Sequence, residues 1–134
     1  MVGKNRFCLL SLLFICVPIC AKIENVTTRS QLTKILLTQP AVIKFSSKNC
    51  GPCRASKAMF ERLSNNYSNI TFIEVDVDKG NPVAIAYGIK GIPAFVFVKN
   101  GKVVDSVLGY SGKETENNIT KKLDKLVEKQ KEDQ

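Results

Sequence analysis

The chain of 134 residues contains no histidine and no tryptophan. Without an imidazole, Ser-His-Asp hydrolysis, Cys-His proteolysis and His-ligated zinc are excluded. Glycine (8) and proline (5) are too sparse for a low-complexity polymer. No apolar run is long enough to cross a bilayer as a helix. The longest, Phe7 to Ala21, has 15 residues, against the roughly 20 that a span needs, and Pro18 interrupts it. Hydrophobic residues make up 44% of the chain and charged residues 24%, a globular composition at a length that suits one domain. The 20 Lys and Arg outnumber the 12 Asp and Glu, for a net charge of +8. The basic residues are scattered among acids, with no aromatic residues interleaved. They are expected to form a solvated surface and not a nucleic-acid site, although such a surface could favour acidic substrate proteins.

The apolar run has a basic start (Lys4, Arg6), a short greasy middle and a small residue, Ala21, at its end. That pattern makes residues 1–21 a secretory signal peptide and 22–134 the folded domain. An uncleaved membrane anchor is the alternative. Cys8, Cys16 and Cys20 leave with the leader, so the mature chain keeps only Cys50 and Cys53. Its charge falls to +6, from 18 basic against 12 acidic side chains. A domain of this size buries an adequate core without disulfide staples. A bridge between two such close cysteines would also constrain the unfolded chain very little. Asn25, Asn66, Asn69 and Asn118 begin Asn-x-Ser/Thr sequons, which matter only on a eukaryotic secretory route.

In the mature chain, Leu32, Ile35 and Leu36 give one apolar helical face over 30–37, with Ser30 or Thr28 as cap and Pro40 beyond its end. Residues 41–46 (AVIKFS) read as a buried strand holding one lysine, and Cys50 to about Asn65 as a helix. Residues 70–77 alternate, with Ile73, Val75 and Val77 on one side and Phe72, Glu74 and Asp76 on the other. A short helix over 81–87, a strand over 94–98, an Asn100-Gly101 hairpin into 103–108 and a final amphipathic helix complete the chain. Residues 22–28 can add an edge strand. The expected fold is α/β: a mixed central sheet of four or five strands flanked by about four helices.

The chemistry sits in Cys50-Gly51-Pro52-Cys53, two thiols one helical turn apart just after a strand. Cys50 falls at the amino end of a helix, where unpaired N–H groups and the helix dipole favour a thiolate. Lys48, Arg54 and Lys57 add positive charge nearby. A thiolate is the nucleophile of disulfide exchange, and Cys53 can then attack the mixed disulfide and release the product. Pro52 stiffens the turn. A zinc knuckle also uses Cys-x2-Cys, but it needs four ligands, which the mature chain does not have. A purely structural pair is the remaining alternative.

With these residues in view, the sequence resembles the thioredoxin family from about residue 26 to 129. The resemblance rests on the dithiol after a strand, on Tyr87-Gly88-Ile89-Lys90-Gly91-Ile92-Pro93, and on Lys99-Asn100-Gly101-Lys102 with Gly109 after the second hairpin strand. It implies a Cys50–Cys53 disulfide in the oxidised state, Cys50 as the attacking cysteine and Cys53 as the resolving one. It also implies a cis peptide at Ile92-Pro93 facing the dithiol, since an X-Pro bond tolerates cis far better than other peptides do. The Ile92 backbone would pair with an extended substrate, and Gly91 and Gly109 would keep that groove open. No cofactor or metal is implied.

The departures from the family pattern are specific. Asn49 stands where a Trp usually precedes the first cysteine, Ser46 stands in place of a second Trp, and Ala58 replaces a kinking proline. The family's buried Asp and its partner Lys correspond to Lys44 and Glu74, so the charges are exchanged. A buried ammonium needs a partner or a neutral state. Lys44 therefore either pairs with Glu74 or reaches solvent along its stem. A charged lysine cannot accept the proton of the resolving thiol, so Glu74 or water would have to serve Cys53.

The expectation is an exported, monomeric thiol–disulfide oxidoreductase, with the bacterial periplasm as its compartment. Gly51-Pro52 resembles the reducing members of the family, which points to a reductase of disulfides in exported proteins. Such a protein is re-reduced by a membrane or soluble electron donor. An oxidase or isomerase in the same compartment, or a non-catalytic binding module, are the alternatives.

Overall fold

The computed structural model describes residues 22–78 and 81–132. The leader read at 1–21 lies outside them. The chain runs β1 (Glu24–Asn25), α1 (Arg29–Leu36), β2 (Ala41–Ser46), α2 (Gly51–Ala55), α3 (Lys57–Asn66), β3 (Thr71–Asp76), α4 (Pro82–Ala86), β4 (Ala94–Lys99), β5 (Lys102–Leu108) and α5 (Lys113–Glu132). The strands form one sheet in the order β1-β3-β2-β4-β5. β1 and β2 both lie parallel to β3, and β4 runs antiparallel to β2 and β5. This is the mixed sheet that the sequence pattern implies.

Strand periodicity sorts the core into two layers. Ile43, Phe45, Ile73, Val75, Ala94 and Val96 point to one face and pack against Leu32 and Leu36 of α1 and Val83 of α4. Val42, Phe72, Phe95 and Phe97 point to the other and pack against Met59, Phe60 and Leu63 of α3 and Ile119 and Leu123 of α5. Phe60 meets Phe72 edge-on at 5.1 Å between ring centroids, a geometry that suits the ring quadrupoles. Thr28 caps α1 by accepting the Gln31 N–H. Asn100 and Gly101 both have positive φ, 52° and 73°, as the tight β4–β5 turn requires.

The long helix expected from Cys50 to Asn65 is divided at Ser56. The Ser56 hydroxyl donates to the Cys53 carbonyl at 2.9 Å, and this side-chain bond competes with the backbone ladder. The division therefore survives the loss of proline at Ala58.

At the far end of α3, Tyr67 donates its hydroxyl to Asp124 Oδ1 of α5 at 2.6 Å. Burial, the hydrogen bond to Asp124 and that residue's charge push the Tyr67 phenol from 10.0 up to about 12. The folded state thus prefers the neutral phenol. The resulting stability is complete below pH 10 and is lost between pH 10 and about 12. Tyr67→Phe is expected to be less stable than the native chain at pH 8, by less than about 1 kcal/mol. In urea titrations that gap should narrow as the pH rises to 11.5; a constant gap would contradict the linkage.

Candidate active site

β2 lies between β3 and β4, and all six of its residues are buried. Its end is therefore held from both sides, and the loop Ser47–Asn49 carries the chain from that end to Cys50. Cys50 is the N-cap of α2, with φ −96° and ψ 115°, and its Sγ accepts the Cys53 N–H at 3.2 Å. Pro52 sits in the first turn, where its missing N–H costs no hydrogen bond. Cys50 and Cys53 are joined in a disulfide, with Cα atoms 5.2 Å apart. The two sulfurs differ in environment: Cys50 is partly exposed, Gly51 and Pro52 are exposed, and Cys53 is only 3% exposed. Once reduced, the outer sulfur can meet a substrate, and the inner one reaches only its neighbour.

The Ile92-Pro93 peptide is cis. The antiparallel register pairs Phe45 with Ala94. Pro93, one residue before Ala94, therefore falls at the end of β2 that leads to the dithiol. The Pro93 carbonyl accepts the Gly109 N–H at 2.8 Å. Gly109 has a φ of +83°, which strains any other side chain. A Cβ on Gly91 would lie 3.2 Å from Leu108 Cδ1. Gly91, Ile92, Pro93 and Gly109 thus gather at one edge of the site.

Lys44 and Glu74 are register partners on β2 and β3. Lys44 is 1% exposed, so its stem does not carry the ammonium to water. Its Nζ lies 3.0 Å from Glu74 Oε1 and 5.6 Å from the centroid of the Phe60 ring, close enough for a cation–π contact. The Ser46 hydroxyl donates to the same carboxylate oxygen at 2.8 Å. The exchanged pair is thus real and desolvated at its cationic end, while the Glu74 side chain keeps 28% exposure. It opens into a cleft of about 550 Å³ lined by Ser46, Lys48, Arg54, Lys57, Glu74 and Asp76, among others.

The pairing of Lys44 with Glu74 was legible as one of two alternatives. The Ser46 hydroxyl bond was not, because Ser46 stood out only as a missing Trp. Its position two residues from Lys44 on one strand face is the signal that could have found it. The Phe60 ring over the ammonium had no such signal, since nothing in the pattern separates it from other core aromatics.

The thioredoxin family profile matches residues 22–125. The chain belongs to the thioredoxin family. It is 40% identical to Thioredoxin-3 of Dictyostelium discoideum over 89 residues, covering 66% of this chain and 86% of that protein. It is 33% identical over 102 residues to Thioredoxin-1 of Schizosaccharomyces pombe, covering 75% of this chain and 99% of that protein. Among solved structures, Malassezia sympodialis thioredoxin superposes with a TM-score of 0.68 at 30% identity, over 75% of this chain and 90% of that one. With its Cys50–Cys53 disulfide, this member of the thioredoxin family is a thiol–disulfide oxidoreductase. The family's activity implies disulfide-bearing protein substrates and a reductant.

The pair's asymmetry sets an order of costs. Removing the carboxylate leaves an ammonium buried and uncompensated, at a cost of about 3 kcal/mol or more. Removing the ammonium leaves a carboxylate that still faces water and Ser46, and methionine can fill the space of the lysine stem. Glu74→Gln is therefore expected to destabilise more than Lys44→Met in denaturant titrations. The exchange Lys44→Asp with Glu74→Lys should recover part of the summed single losses. Additive losses would show that the two residues do not interact.

Proposed function

We propose that this chain reduces disulfides in exported proteins. The reading is carried by the division between a partly exposed Cys50 and a sealed Cys53 across Gly51-Pro52. In the reduced state the Cys50 thiolate attacks one sulfur of a substrate disulfide, forming a mixed disulfide and expelling the other sulfur as a thiolate. The Cys53 thiolate then attacks Cys50 Sγ. The internal disulfide closes and the second substrate sulfur leaves, so that two electrons have passed to the substrate. A membrane or soluble donor returns them.

In this reading Ile92, with Gly91 and Gly109 beside it, offers backbone to an extended substrate segment, and Pro93 faces the dithiol. Glu74 takes the proton of Cys53, through water in the cleft, in place of the family's usual buried aspartate. The basic and apolar pattern of residues 1–21, read as a signal peptide, supports an oxidising compartment such as the bacterial periplasm. That compartment also suits an oxidase or isomerase, which the reduction potential separates.

Insulin reduction in the presence of dithiothreitol should be accelerated by the native chain and not by Cys50→Ser. Glu74→Gln should slow it with an altered pH profile. Equal behaviour of native chain and Cys50→Ser would support a binding module instead. The dithiol potential should be about −270 mV; a value of about −120 mV would identify an oxidase.

A further inference from the structure

Segments 46–57 from the end of β2 into α3, 81–94 from α4 to the start of β4, and 108–113 after β5 lie at the dithiol end of the sheet and carry Lys48, Arg54, Lys57, Lys90 and Lys113 and no Asp or Glu. The end of β3 lies beside them, with Asp76 opposite Ser46, and carries Asp76 and Asp78. All five basic side chains are exposed. Three of them, Lys48, Arg54 and Lys57, wall the cleft that opens onto Glu74. The small Ser46 and polar Asn49 stand where the family usually carries indoles, so this side of the dithiol presents charge and space where apolar contact is the rule.

Of the two carboxylates that line the cleft, Glu74 is offset by an ammonium and Asp76 only by a neutral N–H, so three cations face one uncompensated acid. Glu74 Oε1 receives the Lys44 ammonium and the Ser46 hydroxyl. Asp76 Oδ1 accepts the Asp78 N–H at 2.9 Å, and Asp78 Oδ2 accepts the Ser47 hydroxyl at 3.0 Å. The cations are less committed. Arg54 uses one N–H on the Lys48 carbonyl at 3.2 Å, which folds its guanidinium against the loop and leaves further donors. Lys57 stands 3.9 Å from Glu61 with both side chains more than half exposed, a pairing worth little in water.

We propose that this cleft holds acidic side chains of the substrate polypeptide, so that the protein selects disulfides whose cysteine lies within a few residues of Asp or Glu. The proposal rests on the reductase reading and names its substrate class. Lys48 lies two residues before Cys50 and Arg54 directly after Cys53, so an acid only a short extended stretch from the target sulfur lies within reach. Each exposed contact is weak, and the selection comes from several cations acting together on a segment already held at the dithiol. It must therefore fade with salt, as the screening length shrinks from about 10 Å at 0.1 M to about 3 Å at 1 M.

The test uses two disulfide-linked peptides, identical except that glutamates flank the cysteine in one and lysines in the other. The kcat/KM ratio, acidic over basic, cancels any effect of these cations on Cys50 reactivity. For the native chain at low salt it should be about tenfold, falling toward unity at 1 M salt. The triple exchange Lys48→Glu, Arg54→Glu and Lys57→Glu should invert it. The conservative set Lys48→Arg, Arg54→Lys and Lys57→Arg should preserve it. Reduction of both peptides at equal rates, or a ratio unmoved by the charge reversal, overturns the acidic preference and leaves the reductase standing. Reduction of neither peptide overturns the reductase reading itself.

Discussion

A charged side chain sealed inside a β-sheet fixes the register on which the site depends. Lys44 lies in the middle of the central strand, with Glu74 opposite it on β3 and Phe95 opposite it on β4. A slip of one residue between β2 and β3 would set Lys44 against Ile73 or Val75 and leave its ammonium among aliphatic groups. The ion pair therefore selects one register for the sheet. That register decides where β2 ends, and the end of β2 decides where Cys50 stands.

From that fixed point the two sulfurs acquire different roles. The chain leaves β2 at Ser46 and enters α2 at Gly51, so the first thiol lies on the helix end and the second one turn into the protein. The core beneath is aromatic, with Phe60, Phe72, Phe95 and Phe97 all close to fully buried. Phe60 belongs both to that core and to the cation site. Packing and charge thus share one face of the sheet, while the opposite face is filled by aliphatic side chains from α1 and α4.

Much of this could be read from residues alone, for identifiable reasons. Alternation over 70–77 gave both faces of β3, and Asn100-Gly101 gave the hairpin, because period and turn chemistry are local signals. The dithiol and Ile92-Pro93 stood out because few residue types can do what they do. The division at Ser56 was hidden, since a serine inside a helix has a hydroxyl bond only if the neighbouring carbonyl is free to take it. The fate of Lys44 was also undecided. Its stem is long enough for either outcome, and only the burial of β2 on both faces removes the path to water. The cleft beside Arg54 required the three-dimensional arrangement, because its walls come from a loop, two helices and three strands.

The division of labour between the two cysteines is tested most directly by trapping the reaction half-way. The Cys53→Ser variant, reduced and mixed with a disulfide substrate, should accumulate a covalent adduct of one substrate half, located by mass spectrometry at Cys50. The Cys50→Ser variant should form no such adduct, because Cys53 is sealed from the substrate. An adduct on Cys53, or none on Cys50, would contradict the account.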